Sequence, residues 1–138
     1  MTTDSPQETE ALGECLARQL KGGEVLALFG GMGMGKTAFT RGIARGLDVQ
    51  EPVSSPTFAL VNEYEGRLPL YHFDMYRVTS WDDLYSTGFF DYLENGGVLV
   101  IEWSENIEGA LPETAVRIVF RRGSGENDRE IELEGLEL

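Results

Sequence analysis

A glycine-rich stretch followed at once by lysine and threonine carries the clearest chemical signal in the sequence. Residues 28–39 read LFGGMGMGKTAF and match the pattern G-x-x-x-x-G-K-[ST] with Gly30, Gly35, Lys36 and Thr37. Glycines allow backbone angles that turn successive N–H groups inward, which creates a concave anion site at the start of a helix. The lysine would reach β- and γ-phosphate oxygens, and the threonine hydroxyl would bind Mg²⁺. The pattern therefore predicts a loop that binds nucleotide phosphates.

We expect the whole of this loop to contact the nucleotide. The predicted loop contacts are Gly30, Gly31, Met32, Gly33, Met34, Gly35, Lys36, Thr37 and Ala38. A purely structural glycine turn is the alternative, but such a turn would not require lysine and threonine at the start of a helix.

Two carboxylates follow apolar segments farther along the chain. The segment LPLYHFD ends at Asp74, and the segment GVLVIE ends at Glu102. Ligands of open α/β sheets lie outside the carboxyl ends of the strands, so both acids would face the phosphate loop. We predict that Asp74 holds Mg²⁺ through water and that Glu102 orients or activates the attacking water, although the sequence allows the two assignments to be exchanged. Either acid could instead cap the turn after its strand.

Three further side chains belong to the same predicted site or lie beside it. The hydroxyl-rich segment 53–66 predicts a switch-type loop in which Thr57 binds the metal, with a turn hydrogen bond as the alternative. His72 lies on the same side of its strand as Asp74, and a packed, hydrogen-bonded histidine is favoured over a catalytic one. Trp103 either closes over the nucleotide or fills the edge of the core. The predicted catalytic set is Lys36, Asp74 and Glu102, and the predicted metal set is Thr37, Thr57, Asp74 and Glu102.

These side chains need a sheet and a helix to position them. Residues 24–29, EVLALF, form a short apolar run bounded by glycine, which is typical of a strand buried on both faces of a parallel sheet. Residues 37–47 predict a helix, so the loop lies between a strand and a helix. Residues 5–21 predict another helix, with Cys15 on a buried apolar stripe beside Leu12, Leu16 and Leu20.

The remaining segments complete the predicted fold. Residues 80–93 predict a helical segment whose aromatic side chains mostly pack. Residues 115–120 and 129–134 alternate around the turn RRGSGEND and predict a C-terminal antiparallel β-hairpin. The fold class is therefore α/β, a P-loop NTPase-like sheet with a mainly parallel core flanked by helices. We expect one domain over residues 1–138, with residues 1–9 as a flexible start.

Composition limits the function further. The formal net charge is −13, which opposes direct binding to an RNA backbone because such affinity comes mainly from lysine and arginine. No apolar run approaches the roughly 20 residues of a membrane span. The first ten residues, MTTDSPQETE, lack the basic and apolar regions of a secretory signal. We therefore expect a cytoplasmic protein that does not bind a membrane.

Three downstream segments make a resemblance specific. SPTFALVNEY, LYHFDMYR and IEWSE follow GKT in this order, and together they resemble the TsaE (YjeE) family of bacterial ATPases. The resemblance spans roughly residues 10–134. It implies that Lys36 and Thr37 bind phosphate and Mg²⁺, that Thr57 belongs to a switch-like loop, that Asp74 is the metal-side acid, and that Glu102 and Trp103 belong to the active site. The family typically reads G-D-L-G-A-G-K-T, whereas here Gly31 replaces the acid, Met32 the leucine and Met34 the alanine.

The resemblance also implies a biological role. Members of this family are ATPases that use ATP and Mg²⁺ and take part in forming N6-threonylcarbamoyladenosine at position 37 of tRNA. The implied partners are a kinase-like threonylcarbamoyl transferase subunit and its paralogous scaffold subunit, and tRNA is contacted only through them. Hydrolysis would support turnover of the complex rather than the transfer chemistry, and it would be slow without the partners.

Other functional classes share the phosphate loop. A small-molecule kinase usually needs a lid with several arginines around the transferred phosphate, and no comparable segment follows Asp74. A GTPase is disfavoured because the sequence contains no N-K-x-D motif. A nucleotide-gated binding module with little hydrolysis of its own remains open, because a partner could supply an arginine worth about 10³ to 10⁵ in rate. Turnover that rises when partners are added would distinguish an ATPase from a passive gate.

Overall fold

The computed structural model describes residues 1–31, 33–54 and 61–135. The predictions that concern Met32 and Thr57 therefore lie outside the described residues. The strands are β1 (Thr2–Thr3), β2 (Val25–Phe29), β3 (Val61–Tyr64), β4 (Leu70–Asp74), β5 (Val98–Glu102), β6 (Val116–Arg122) and β7 (Arg129–Glu134). The helices are α1 (Pro6–Ala17), α2 (Lys36–Gly46), α3 (Trp81–Ser86) and α4 (Phe89–Leu93), with a 3₁₀ segment at Ser104–Ala110. Within these described ranges, no helix is long and apolar enough to span a membrane.

The strands form one sheet whose order is β1-β7-β6-β2-β5-β4-β3. Strand β2 pairs in parallel with both β5 and β6, and β4 pairs in parallel with β5. Antiparallel pairs close both edges of the sheet, β3 with β4 on one side and β6 with β7 and then β1 on the other. The predicted α/β fold with a mainly parallel core and a C-terminal antiparallel hairpin is confirmed. Strand β1 is an element that the sequence did not predict.

The central strands are buried on both faces, as a parallel sheet requires. In β2, Leu26 and Leu28 pack into a core with α1 and α2, whereas Val25 packs into a second core on the opposite face. In β5, Val100 and Ile101 divide between the same two cores. This burial on both faces explains why both strands are continuous apolar runs in the sequence. It also holds β2 in place, and with it the start of the phosphate loop.

Helices α1 and α2 pack with almost no side chain between them. A Cβ atom at Gly42 would overlap the Glu10 carbonyl oxygen, and one at Gly13 would overlap the Phe39 carbonyl oxygen. Arg45 of α2 also pairs with the Glu10 carboxylate of α1. Because α2 begins at the phosphate loop, this packing brings the first turn of α1 beside that loop.

The close packing of α1 also explains a wrong prediction. Cys15 is exposed rather than buried, because the buried stripe of α1 runs through Gly13, Leu16 and Ala17. Leu16 and Leu20 of the expected stripe are buried, whereas Cys15, two residues after Gly13, points away from the Gly13 contact with α2. The predicted helical segment 80–93 also differs, since it is two short helices separated at Gly88, where φ is +77°.

Candidate functional site

The phosphate loop joins β2 to α2 through glycines in conformations that other residues rarely adopt. Gly33 and Gly35 have φ of +75° and +97°, and Gly35 is the residue that caps α2. Gly30 has φ of +139°, and a Cβ atom there would lie 2.9 Å from the Phe120 carbonyl oxygen of β6. Gly31 differs, because its φ lies outside the left-handed range and its Cβ position faces open space. The loop backbone thus requires glycine at three positions but not at the position where the family usually has aspartate.

Lys36 lies across the loop rather than pointing into solvent. Its side chain is 5% exposed, and its Nζ donates a hydrogen bond to the Gly30 carbonyl at 2.8 Å. The same ammonium lies 4.6 Å from the centroid of the Trp103 ring, a distance at which a cation is attracted to an aromatic face. None of the ion pairs among the described residues, with a limit of 4 Å, involves the Lys36 ammonium. The Lys36 ammonium therefore contacts a backbone carbonyl and an aromatic ring rather than a carboxylate, so its positive charge is available to a bound anion.

The two predicted carboxylates are neighbours at the carboxyl ends of adjacent parallel strands. Asp74 of β4 and Glu102 of β5 are register partners in the sheet. One Asp74 oxygen accepts the Tyr76 N–H at 2.9 Å, which is the turn contact considered as an alternative for this residue. Glu102 is 8% exposed and is fixed by His72. The carboxylates thus have different environments, since Asp74 is half-buried at the start of a turn and Glu102 is buried.

His72 is fully buried beneath this pair. Its Nε2 lies 2.6 Å from Oε2 of Glu102. A hydrogen bond to the ionised form of the Glu102 carboxylate requires the imidazole tautomer with its proton on Nε2, because a carboxylate can only accept. In the part of the chain that the structure describes, Nδ1 has no hydrogen-bond partner. The imidazole therefore directs its hydrogen-bonding capacity at Glu102 alone, and this agrees with a packed, hydrogen-bonded histidine.

One cavity of about 570 Å³ brings most of the predicted site together. Its lining includes residues 33–38 of the loop and α2, together with Asp74, Glu102 and Trp103. Gly30 and Gly31 lie outside the lining, although Gly30 contributes the carbonyl that holds Lys36. Trp103 thus lies at the cavity wall, and its position after β5 is a left-handed turn with φ of +58°.

Other lining residues were not predicted from the sequence. The start of α1 contributes Ser5, Pro6 and Thr9, and the segment after β4 contributes Tyr76 and Arg77. The C-terminal hairpin contributes Asn127 from its turn and Arg129, the first residue of β7. Tyr76 and Arg77 belong to the quoted segment LYHFDMYR, which could have indicated them. The α1 and hairpin residues come from the two ends of the chain, and no local pattern signals that they meet.

The segment after Trp103 ties the site together through two side chains. Glu105 accepts the Gly30 N–H at 3.1 Å, although 75 residues separate the two. Asn106 donates to the Met75 carbonyl at 2.8 Å and to the Tyr76 carbonyl at 3.1 Å. This segment therefore holds the start of the phosphate loop and the turn after Asp74 in one arrangement.

The donor set suits a hard cation bound together with phosphates. Thr37, Asp74 and Glu102 all offer oxygen atoms to the same cavity. No group of three or more histidine, cysteine, aspartate or glutamate side chains with metal-site spacing occurs in residues 1–31, 33–54 and 61–135. Mg²⁺ commonly binds through one or two carboxylates plus substrate phosphates and water, so these residues fit Mg²⁺ with a nucleotide better than a metal held by protein alone.

Comparisons with known proteins agree with one another. The family model described as "Threonylcarbamoyl adenosine biosynthesis protein TsaE" matches residues 3–131. The "tRNA threonylcarbamoyladenosine biosynthesis protein TsaE" of Bacillus subtilis (strain 168) is 43% identical over 130 residues, which are 94% of this chain and 80% of that protein. The protein of the same name from Treponema pallidum (strain Nichols) is 44% identical over 117 residues, 85% of this chain and 87% of that protein. The crystal structure of Bacillus subtilis YdiB aligns with a TM-score of 0.80 at 39% identity, covering 96% of this chain and 82% of that chain.

Proposed function

This chain belongs to the family of the threonylcarbamoyl adenosine biosynthesis protein TsaE, and from this premise we propose that it is an Mg²⁺-dependent ATPase of the bacterial tRNA N6-threonylcarbamoyladenosine machinery. In this proposal, ATP hydrolysis supports turnover of a complex whose other subunits carry out the transfer. Those partners are the kinase-like threonylcarbamoyl transferase subunit and its paralogous scaffold subunit.

One observation carries the ATPase part of the proposal. A single cavity is lined by residues 33–35 of the glycine-rich loop, by the cation and hydroxyl that follow, and by two carboxylates at the ends of β4 and β5. The loop offers backbone N–H groups at the start of α2, where an anion is stabilised by the helix dipole. This combination supports binding of a nucleoside triphosphate with Mg²⁺ better than binding of an isolated phosphate or metal ion.

Each residue of the site would have a separate role in binding or hydrolysing the nucleotide. The Lys36 ammonium would exchange its hydrogen bond with the Gly30 carbonyl for hydrogen bonds with the phosphate oxygens, where it would stabilise the charge that develops. Mg²⁺ would be held by Thr37 and Asp74, with Thr57 and Glu102 as further candidates, and would supply Lewis-acid stabilisation of the phosphates. Glu102 would accept a proton from the attacking water, and His72 would keep its carboxylate in place.

The charge of the chain supports an indirect relation to tRNA. A net charge of −13 opposes binding to a phosphate backbone, so the partners would contact the tRNA. Arg77 and Arg129 line the cavity but come from separate segments rather than from one lid. This arrangement favours hydrolysis or gating over the small-molecule kinase alternative, which usually surrounds the transferred phosphate with several arginines.

ATP hydrolysis by the purified chain, measured alone and with the two partner subunits, tests this proposal. Lys36→Ala serves as the blank, because it removes the phosphate-loop charge while leaving the apolar cores unchanged. We expect slow intrinsic turnover that rises with the partners and is lost in the variant. A chain that binds ATP without hydrolysing it in either condition would instead be a nucleotide-gated module, and a chain that does not bind ATP would contradict the proposal as a whole.

A further inference from the structure

Arg129 reaches the phosphate loop from the opposite end of the chain. It is the first residue of β7, and one of its terminal nitrogens donates to the Gly33 carbonyl at 3.0 Å across 96 residues. The other terminal nitrogen donates to the carbonyls of Glu126 and Asp128 at 2.9 and 2.8 Å. Three backbone carbonyls therefore hold this guanidinium at the wall of the cavity, where it bridges the hairpin turn and the loop.

Arg129 forms no salt bridge with the described residues. Within the described ranges, no carboxylate lies within 4 Å of its guanidinium, whereas Arg121 on the same hairpin pairs with Glu132 at 2.7 Å. The nearby Asp128 carboxylate is used inside the turn, where it accepts the Gly125 N–H at 2.9 Å. Among the described residues, the hydrogen bonds of the Arg129 guanidinium go to neutral backbone carbonyls, so its charge is available to an anion in the cavity.

Arg67 also donates to backbone carbonyls in the described part of the chain, but it lies at a different place in the fold. Arg67 donates to the carbonyl of Ala17, the last residue of α1, and to the Leu20 carbonyl just after it, where the negative end of the helix dipole stabilises a cation. Arg67 does not line the cavity. Arg129 has no helix end among its partners, and its three hydrogen bonds use only part of a guanidinium that carries five N–H donors.

The order of the strands places Arg129 opposite the carboxylates. The phosphate loop follows β2. Asp74 and Glu102 are the last residues of β4 and β5 on one side of β2, and Arg129 begins β7 on the other side. A polyphosphate in the loop would thus have its metal-side acids at one wall and a planar, two-pronged cation at the other. Guanidinium geometry matches phosphate oxygens well.

We propose that Arg129 is a nucleotide-binding residue whose guanidinium contacts the phosphate oxygens of the nucleotide, on the wall opposite Asp74 and Glu102. This inference rests on the proposed function, because it requires a nucleotide in the phosphate loop. It assigns to the C-terminal hairpin a direct part in binding rather than only a structural one.

Calorimetric titration of the full chain with Mg-ATP, Mg-ADP and adenosine tests this assignment in the variants Arg129→Gln and Arg129→Lys. Loss of a charge-assisted phosphate contact predicts about tenfold to a hundredfold weaker binding of both phosphorylated nucleotides by Arg129→Gln. Adenosine, titrated at millimolar concentration, should bind as in the parent chain. Arg129→Lys should recover part of the loss, because it keeps the charge but not the planar fork. Arg121→Gln is the matched control and should bind all three ligands normally.

Each contrary result has a separate meaning. Mg-ATP affinity of Arg129→Gln within about twofold of the parent chain would overturn this inference and leave the proposed function intact. Equal losses for ATP and adenosine would also overturn it, since they would indicate a contact to the nucleoside or a distorted cavity. A thermal unfolding scan identifies a misfolded Arg129→Gln, in which case Arg129→Lys binding ATP as tightly as the parent would count against the guanidinium contact. A parent chain without affinity for Mg-ATP would instead contradict the proposed function.

Discussion

Replacing Glu102 by glutamine separates proton transfer from nucleotide binding. Glutamine has nearly the same shape as glutamate, and its carbonyl oxygen can still accept the hydrogen bond that His72 makes at 2.6 Å. It cannot accept a proton from water near neutral pH. Because general-base catalysis contributes about 10² to 10⁴ in rate, we expect Glu102→Gln to hydrolyse ATP slower by a factor in this range. Mg-ATP affinity and the thermal midpoint should change little.

A second substitution at the same position shows how much the hydrogen bond between His72 and Glu102 stabilises the fold. Glu102→Ala leaves the buried Nε2–H of His72 without an acceptor, because His72 is fully buried. An unsatisfied buried polar group costs about 1–3 kcal/mol, so the alanine variant should unfold at a lower temperature than the glutamine variant. The difference between the two variants therefore measures the His72 contact rather than the chemistry.

Single-turnover hydrolysis, started by mixing excess protein with Mg-ATP in the presence of the partner subunits, is the suitable assay. It reports the chemical step and not product release. If Glu102→Gln loses Mg-ATP binding, Glu102 is a metal-side residue and the role assigned to Asp74 must be reconsidered. If the variant hydrolyses ATP at the parent rate, the general-base assignment is refuted.

Three further predictions concern the loop and its supports. Lys36→Ala should weaken Mg-ATP binding by about tenfold or more while remaining folded, as measured by titration and circular dichroism; unchanged affinity would contradict the phosphate-loop assignment. Glu105→Ala should raise the apparent KM for ATP more than it lowers kcat, because the Gly30 N–H loses its acceptor. Glu105→Gln keeps an acceptor oxygen and should restore most of the loss. Equal behaviour of the two variants would argue against a role for the hydrogen bond between Glu105 and Gly30. Gly42→Ala should destabilise the fold by about 1–3 kcal/mol or more, because its Cβ would overlap the Glu10 carbonyl oxygen. Gly31→Ala should leave the stability unchanged, because the added Cβ would face open space. Similar unfolding midpoints for the two variants would refute the packing argument.

Local sequence patterns predicted the elements that carry the loop and the two carboxylates. The run EVLALF, the glycines and the following helix lie next to one another in the chain. Their arrangement can therefore be predicted from one short stretch of sequence. The acids at the ends of two apolar strands followed from a general property of parallel sheets. What these residues do chemically stays a prediction that the experiments above test.

The parts that could not be predicted depend on contacts between distant segments. Arg129 reaches the cavity because β7 pairs with β6, the neighbour of β2, and the first turn of α1 reaches it because α1 packs against α2. The exposure of Cys15 depends on how closely Gly13 and Gly42 let two helices approach, which a helical periodicity does not report. The anchor made by Glu105 was within a quoted motif, yet its partner lies 75 residues away.

The contact between Lys36 and Trp103 gives the protein a built-in optical reporter. The sequence contains two tryptophans, and Trp81 is 58% exposed on α3, whereas Trp103 has the Lys36 ammonium 4.6 Å from its ring centroid. An anion that draws the ammonium away changes the electric field at the indole and hence its emission. In a Trp81→Phe background, the fluorescence of one residue would therefore follow loading of the phosphate loop in real time, without a labelled nucleotide.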